Sequence, residues 1–312
     1  MSSALAEHAR DGDLCLAIDI GGTKLAVGLV DTAGSVVWDD RTRTPAATDP
    51  ELLFRVLADL LDIAVAAAAA RGDVAACGVG CGGPMSEGGE EVSPLNIPAW
   101  RGFPLRRRLR ETLQGHATTA GVAVRVDNDA KALALGEGWV GAAKGERNYL
   151  AMVVSTGVGG GIVLDGRLLG GASGNAGHIG HVIVEPDGQP CACGARGCLE
   201  AEASGTGIAR ATGAPAEMAS REVRERTGRL VGRAVGSVAN LLDLPLAVVA
   251  GSVALGYGTA FFLAAQRELD RVAQLSFSRG CRIEVAGLHD RAPLVGAAAL
   301  GWGSLVAGVP AL

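Results

Sequence analysis

The chain has 312 residues, 48% of them hydrophobic and 20% charged, with 33 acidic against 28 basic side chains and a net charge of −5. This balance describes a soluble globular protein of one large or two medium domains, and it excludes disorder, coiled coil and the basic footprint of a nucleic-acid binder. The longest apolar run, Ile63 to Ala70, is far short of the roughly 20 residues that span a bilayer, and the polar start MSSALAEHARDGD has no apolar signal segment, so a cytoplasmic protein without membrane contact is expected.

The first elements are two strands, LCLAIDI and LAVGLVD, joined through Gly21-Gly22-Thr23-Lys24, with a hairpin into SVVWDD. Asp19 at the strand end can hold Mg²⁺ or its waters, and the glycine turn can offer backbone N–H groups to phosphate oxygens; a plain tight hairpin has the same local signature. Asp49-Pro50 then caps a helix that runs to Gly72. VAACGVGCGGP reads as a buried strand entering a loop. Its Gly78-Val79-Gly80-Cys81-Gly82-Gly83 matches G-x-G-x-x-G, but Pro84 follows where a dinucleotide fold needs a helix, so that fold is rejected. The basic run Arg106, Arg107, Arg108 and Arg110 reads as a solvated helix face. VAVRVDND is a further strand, and KALALGEGWVG a helix beginning near Asp129. Asn128 and Asp129 sit at that handover, where an aspartate can take the proton of an attacking sugar hydroxyl and an asparagine can orient its neighbour; both are also good N-caps.

From Asn148 the opening pattern of strand, glycine turn, strand and hairpin recurs in NYLAMVVSTGVGGGIVLDGRLL. The recurrence suggests duplicated α/β lobes around a cleft, residues 1–130 and 131–312, with Ser155-Thr156-Gly157 as a second phosphate turn and the last helix packing back on the N-terminal lobe. No Walker A pattern is present, so a P-loop is excluded. Three of the seven cysteines fall between residues 191 and 198, which does not fit a secreted disulfide framework. His181, Cys191, Cys193 and Cys198 are spaced H-x9-C-x-C-x4-C. Three thiolates and one imidazole form a closed tetrahedral set, the pattern of structural Zn²⁺. His178 can face the cleft or serve as a capping or core-edge histidine. Three helices follow in the C-terminal third, with LAVVAGSVALG between the first two as a strand whose glycine turn opens a helix toward nucleotide.

DIGGTK, SPLNIPAW, VDNDAKA, STGVGGG and above all AGHIGH with CACGARGCLE resemble the ROK family, which gathers repressors, open-reading-frame products and sugar kinases. The resemblance runs from about residue 14 to 308. It implies the actin-like ATPase fold, a duplicated ribonuclease H-like architecture, and transfer from ATP with Mg²⁺ to the 6-hydroxyl of a hexose or N-acetylhexosamine. Asp129 is then the catalytic base. Gly83, Asn96, Asn128, Asp129, His181 and Glu200 meet the sugar, and Gly22, Thr23, Lys24, Thr156 and Gly157 the phosphates. Gly251 and Ser252 stand at the adenosine, and His181, Cys191, Cys193 and Cys198 are the zinc ligands. Many members have glutamate where this chain has His178, and often asparagine at Lys131. His178 is accordingly a candidate sugar contact favouring N-acetylmannosamine, with glucose as the alternative. The family's repressors carry a winged helix-turn-helix domain, for which the stretch before Asp19 is too short. A homo-oligomer, dimer or tetramer, is implied.

Overall fold

The computed structural model describes residues 9–46 and 48–312. β1 (Leu14–Ile20) and β2 (Lys24–Asp31) pair antiparallel, and β2 pairs again with β3 (Val36–Arg43). α1 (Pro50–Ala68) begins on the Asp49 cap, whose side chain accepts from the Glu51 N–H, and it ends before Gly72. β4 (Val74–Cys81) lies parallel to β1. No helix opens after its glycines. The chain instead turns through Glu87–Gly89 and reaches α2 (Leu105–Gln114), then β5 (Val124–Asn128), parallel to β4, and α3 (Asp129–Val140). The sheet order is β3-β2-β1-β4-β5. β1 and β2 are apolar at nearly every position because both faces are covered, whereas edge strand β3 alternates half-buried and exposed.

Of the basic run on α2, Arg107 and Arg110 are exposed as expected of a solvated face, whereas Arg106 and Arg108 are half-buried. Arg108 binds Glu51 at 2.5 Å and lies 4.5 Å over the Phe54 ring, while Arg106 and Arg110 stand 3.1 and 3.6 Å from Glu90. Its charge is spent on neighbours rather than displayed to a polyanion.

β6 (Tyr149–Val154) and β7 (Val158–Leu164) form the second hairpin, followed by the two-residue β8 (Arg167–Leu168), α4 (Leu199–Ala203) and α5 (Gly205–Thr212). α6 (Arg221–Leu242), capped by Ser220, leads to β9 (Leu246–Ala250), α7 (Ser252–Val272), β10 (Arg282–Val285) and α8 (Ala292–Trp302). β9 is parallel to β6, and β10 to β9. Outward from β6, as from β1, lie an antiparallel hairpin partner on one side and two parallel strands on the other. The duplication read from the two glycine turns is therefore a duplication of strand order.

Two compact units result. One holds the described residues up to Gly145 with Arg167–Ala176 and Leu288–Leu312, the other Glu146–Gly166 with Gly177–Gly287. The first unit extends past the boundary expected at residue 130 because α3 belongs to it. A Cβ on Gly136 of α3 would come 3.0 Å from the Gly296 Cα of α8, and Glu137 accepts the Leu288 N–H at 3.0 Å.

Candidate active site

In the first unit the β1–β2 turn is held by Gly21 N–H donating to the Lys24 carbonyl, and by the Thr44 hydroxyl, 2.6 Å from the Gly21 carbonyl. A Cβ on Gly22 would lie 2.8 Å from the Asn96 carbonyl oxygen and 2.9 Å from its Cβ. Glycine here lets the loop carrying Asn96 close onto the turn. A Cβ on Gly82 would meet Asn96 Oδ1 at 3.4 Å, and the Gly83 carbonyl accepts from the Leu95 N–H. Gly83, Asn96 and the Gly22–Lys24 turn are thus one neighbourhood.

Asn128 and Asp129 complete it. Asn128 is the N-cap of α3, its Oδ1 accepting the Ala130 N–H at 3.0 Å, and Asp129 Oδ1 accepts the same group at 2.8 Å. The capping reading of Asn128 therefore holds alongside any role toward ligand, because Nδ2 is a separate donor. β4 puts Gly80 between Asp19 of β1 and Asp127 of β5, and a Cβ on Gly80 would stand 3.6 Å from the Asp129 Cα. Burial, with the charge of Asp129 and against that of Lys24, pushes the Asp19 carboxyl up to about 7. Two carboxylates at the same sheet end, beside glycine-bared backbone, can hold a cation and accept a proton.

In the second unit the Ser155–Gly157 turn is tied on three sides. Ser155 Oγ meets Ser252 Oγ at 2.9 Å, the Thr206 hydroxyl donates to the Thr156 carbonyl at 2.9 Å, and Glu200 accepts the Val158 N–H at 3.0 Å. Gly251 (φ 102) turns β9 into α7, where a Cβ would strike the Val154 carbonyl at 2.3 Å. Thr156, Gly157, Gly251, Ser252 and Glu200 are therefore brought together. Ser155 belongs to the turn read from the sequence, but its bond to Ser252, 97 residues further on, has no local signal.

His178 and His181 flank a short helical turn with ring centroids 6.2 Å apart. His181, Cys191, Cys193 and Cys198 place one ligand atom each within 4.8 Å of one another. Sγ of Cys191 is 3.7 Å from His181 Nδ1, and the Cys193 and Cys198 sulfurs are 3.7 Å apart. Sulfurs around a tetrahedral metal with bonds of about 2.3 Å stand about 3.8 Å apart, so the donor set fits such an ion. Gly194 and Gly197, both at positive φ, fold the loop back, and a Cβ on Gly197 would collide with the Glu185 carbonyl. Leu199 N–H bonds the Val182 carbonyl, which places Glu200 directly beside the cluster.

A family model described as ROK family matches residues 15–302. The N-acetylmannosamine kinase of Citrobacter koseri is 37% identical over 307 residues, 92% of this chain and 98% of that protein. A glucokinase of Halalkalibacterium halodurans is 40% identical over 196 residues, 62% of this chain and 57% of that protein's length. Among solved structures, a ROK family glucokinase from Streptomyces griseus, in complex with glucose and AMPPNP, superposes with a TM-score of 0.75 at 29% identity, covering 92% of this chain and 99% of that one. The fold is the actin-like ATPase fold. The chain belongs to the ROK family and is an enzyme of its sugar-kinase class.

Proposed function

We propose that this enzyme transfers the γ-phosphoryl group of ATP to the 6-hydroxyl of N-acetylmannosamine. The observation that carries the reaction is the Asp19–Asp129 carboxylate pair beside the Gly22–Asn96 approach. Asp129 takes the proton of O6 as that oxygen bonds to the γ-phosphorus, and the bond from phosphorus to the β,γ-bridging oxygen breaks to release ADP. Asp19 would hold Mg²⁺, which when bound neutralises phosphate charge. The turns at Gly22–Lys24 and Thr156–Gly157 offer backbone N–H groups to phosphate oxygens, and Gly251–Ser252 meets the adenosine. Gly83, Asn96, Asn128, His181 and Glu200 bind sugar hydroxyls. With His181 Nδ1 turned to the cysteines, its Nε2 is the atom available to the sugar. The four-ligand cluster would hold a structural Zn²⁺ that fixes the loop carrying His181 and Glu200.

The choice of sugar rests on His178. A neutral imidazole offers one donor and one acceptor, where a glutamate would accept from two hydroxyls. An N-acetyl group at C2 removes one of those hydroxyl donors, so the weaker acceptor set is tolerated. Resemblance to the Citrobacter koseri kinase over nearly the full chain supports this choice. The glucokinase likeness favours glucose as the second reading. Coupled ADP release over glucose, mannose, fructose, N-acetylglucosamine and N-acetylmannosamine tests both. N-acetylmannosamine is expected to lead in kcat/KM, and a glucose lead above about tenfold, 1.4 kcal/mol of transition-state preference, overturns the assignment. If His178→Glu leaves every ratio unchanged, His178 plays no part in selection.

A further inference from the structure

Lys131 is buried, with its side chain only 2% exposed. Burying an ammonium is costly unless it is paired. Its Nζ donates to the Gly174 carbonyl at 2.5 Å and stands 3.5 Å from Asp127 Oδ1. The same Asp127 oxygen accepts the Asn128 N–H at 2.7 Å. Burial raises the Asp127 carboxyl, and Lys131 draws it back down. Gly174 lies in a small loop closed by the Ala176 N–H donating to the Gly170 carbonyl at 2.9 Å, with Gly171 and Gly174 at positive φ. Beside it, Asn175 Nδ2 donates to the Met85 carbonyl at 3.3 Å. Met85 follows the Gly82–Gly83 stretch against which Asn96 packs. The loop at 170–176 is thus bonded both to the Asp127–Asp129 run and to the segment after Gly83, and the first of these bonds depends on one buried cation.

We propose that Lys131 is a positioning residue for the sugar, tying the 170–176 loop to the Asp127–Asn128–Asp129 run so that the groups meeting the acceptor hydroxyl keep one geometry. Lys131 touches neither substrate. Its ammonium acts through the Gly174 carbonyl and the Asp127 carboxylate, and Gly177 and His178 follow the tethered loop directly in the chain. An apolar side chain of similar length would fill the volume but leave Gly174 untied and the half-buried Asp127 without its counter-charge. The inference rests on the reading of Asn128 and Asp129 as the sugar-hydroxyl end of the site, so its test includes a readout independent of turnover.

The test compares the parent with Lys131→Met and with the double variant Asp127→Asn/Lys131→Met, following amide exchange at Ala176, sugar KM, ATP KM and Tm. In Lys131→Met, exchange at Ala176 is expected to quicken and sugar KM to rise, each by about tenfold or more, the scale of one charge-assisted hydrogen bond, while ATP KM stays within about threefold. The double variant removes the orphaned carboxylate and is expected to recover Tm while keeping the raised sugar KM and fast exchange. Recovery of sugar KM together with Tm would mean that Lys131 is only a counter-charge, and the proposal fails. Unchanged exchange and KM in either variant also overturn it. If Asp129→Asn keeps full turnover while exchange responds as expected, the tether stands and the reading of the sugar end is what fails.

Discussion

At the scale of single residues, the proposed reaction assigns separate tasks to the two carboxylates at the end of the first sheet. Replacing Asp129 by asparagine keeps the side-chain shape at the start of α3, and its amide oxygen can still accept the Ala130 N–H, but the proton acceptor is gone. A fall in kcat of about 10²–10⁴, the range of general-base contributions, is expected with sugar affinity by calorimetry little changed; turnover within a few-fold of the parent would remove Asp129 from the chemistry. Asp19 yields a pH prediction with a definite sign. Its value is about 7 in the folded protein against an ordinary 3.8, raised by burial first and by Asp129 second. The folded state therefore holds this proton more tightly than the unfolded chain. Its contribution to stability is fully present below about pH 4, declines as the pH rises toward about 7, and is constant above. Urea unfolding of the ligand-free enzyme at pH 5 and pH 8 should show the parent losing more stability over that interval than Asp19→Asn. Equal losses in the two proteins would show that Asp19 titrates as an ordinary carboxyl.

At the scale of elements, the cysteine loop is the part most readily seen in sequence, because its four donors lie within a short segment and their spacing already limits what geometry they can reach. Its expected behaviour is indirect. Elemental analysis should find about one zinc per chain in a closed four-donor site, and Cys193→Ala should lower Tm and sugar affinity together through the loop that carries His181 and Glu200. Purified enzyme that is fully active and free of zinc would sink this. The glycine turns and the Asn128–Asp129 handover were legible for a similar reason, each being a local break between strand and turn or helix. Other features depend on partners far away in the chain. β10 is four half-exposed residues whose strand character comes from pairing with β9. α7 opens at Ser252, directly after the glycine turn read from the sequence as opening a helix, but the departure of Gly258 from helical geometry inside it has no local signal that sets this glycine apart from Gly256. The Lys131–Gly174 bond joins positions 43 residues apart, which no local pattern reveals.

At the scale of the whole molecule, each sheet repeats one strand order, and the first is completed by the far end of the chain. α8 lies against β4 through glycines on both sides. A Cβ on Gly78 would stand 1.8 Å from the Ala297 carbonyl oxygen and 2.5 Å from the Gly301 nitrogen, and one on Gly301 would stand 2.4 Å from the Cys15 sulfur. The opposite side of α8 is equally close, since a Cβ on Gly296 would meet the Ala132 carbonyl of α3 at 2.6 Å. α8 thus joins the sheet carrying Asp19 to the helix carrying Asp129, and at Gly78 and Gly296 the approach is backbone against backbone, with no flexible side chain to give way. Gly78→Ala must displace α8, and overpacking of a close-packed core costs about 1–3 kcal/mol or more. At about 2–4 °C per kcal/mol for a domain of this size, Tm should fall by about 2–12 °C or more, while kcat measured well below the transition changes less than in Asp129→Asn. Gly256→Ala supplies the opposite sign. That glycine lies within α7 with nothing within 4 Å of an added Cβ, so alanine should be neutral or stabilising by about 0.5–1 kcal/mol through helix propensity. Thermal melting of the two variants beside the parent decides the point, and a Gly78→Ala enzyme that melts with the parent would show that α8 is not seated as rigidly as its glycines require.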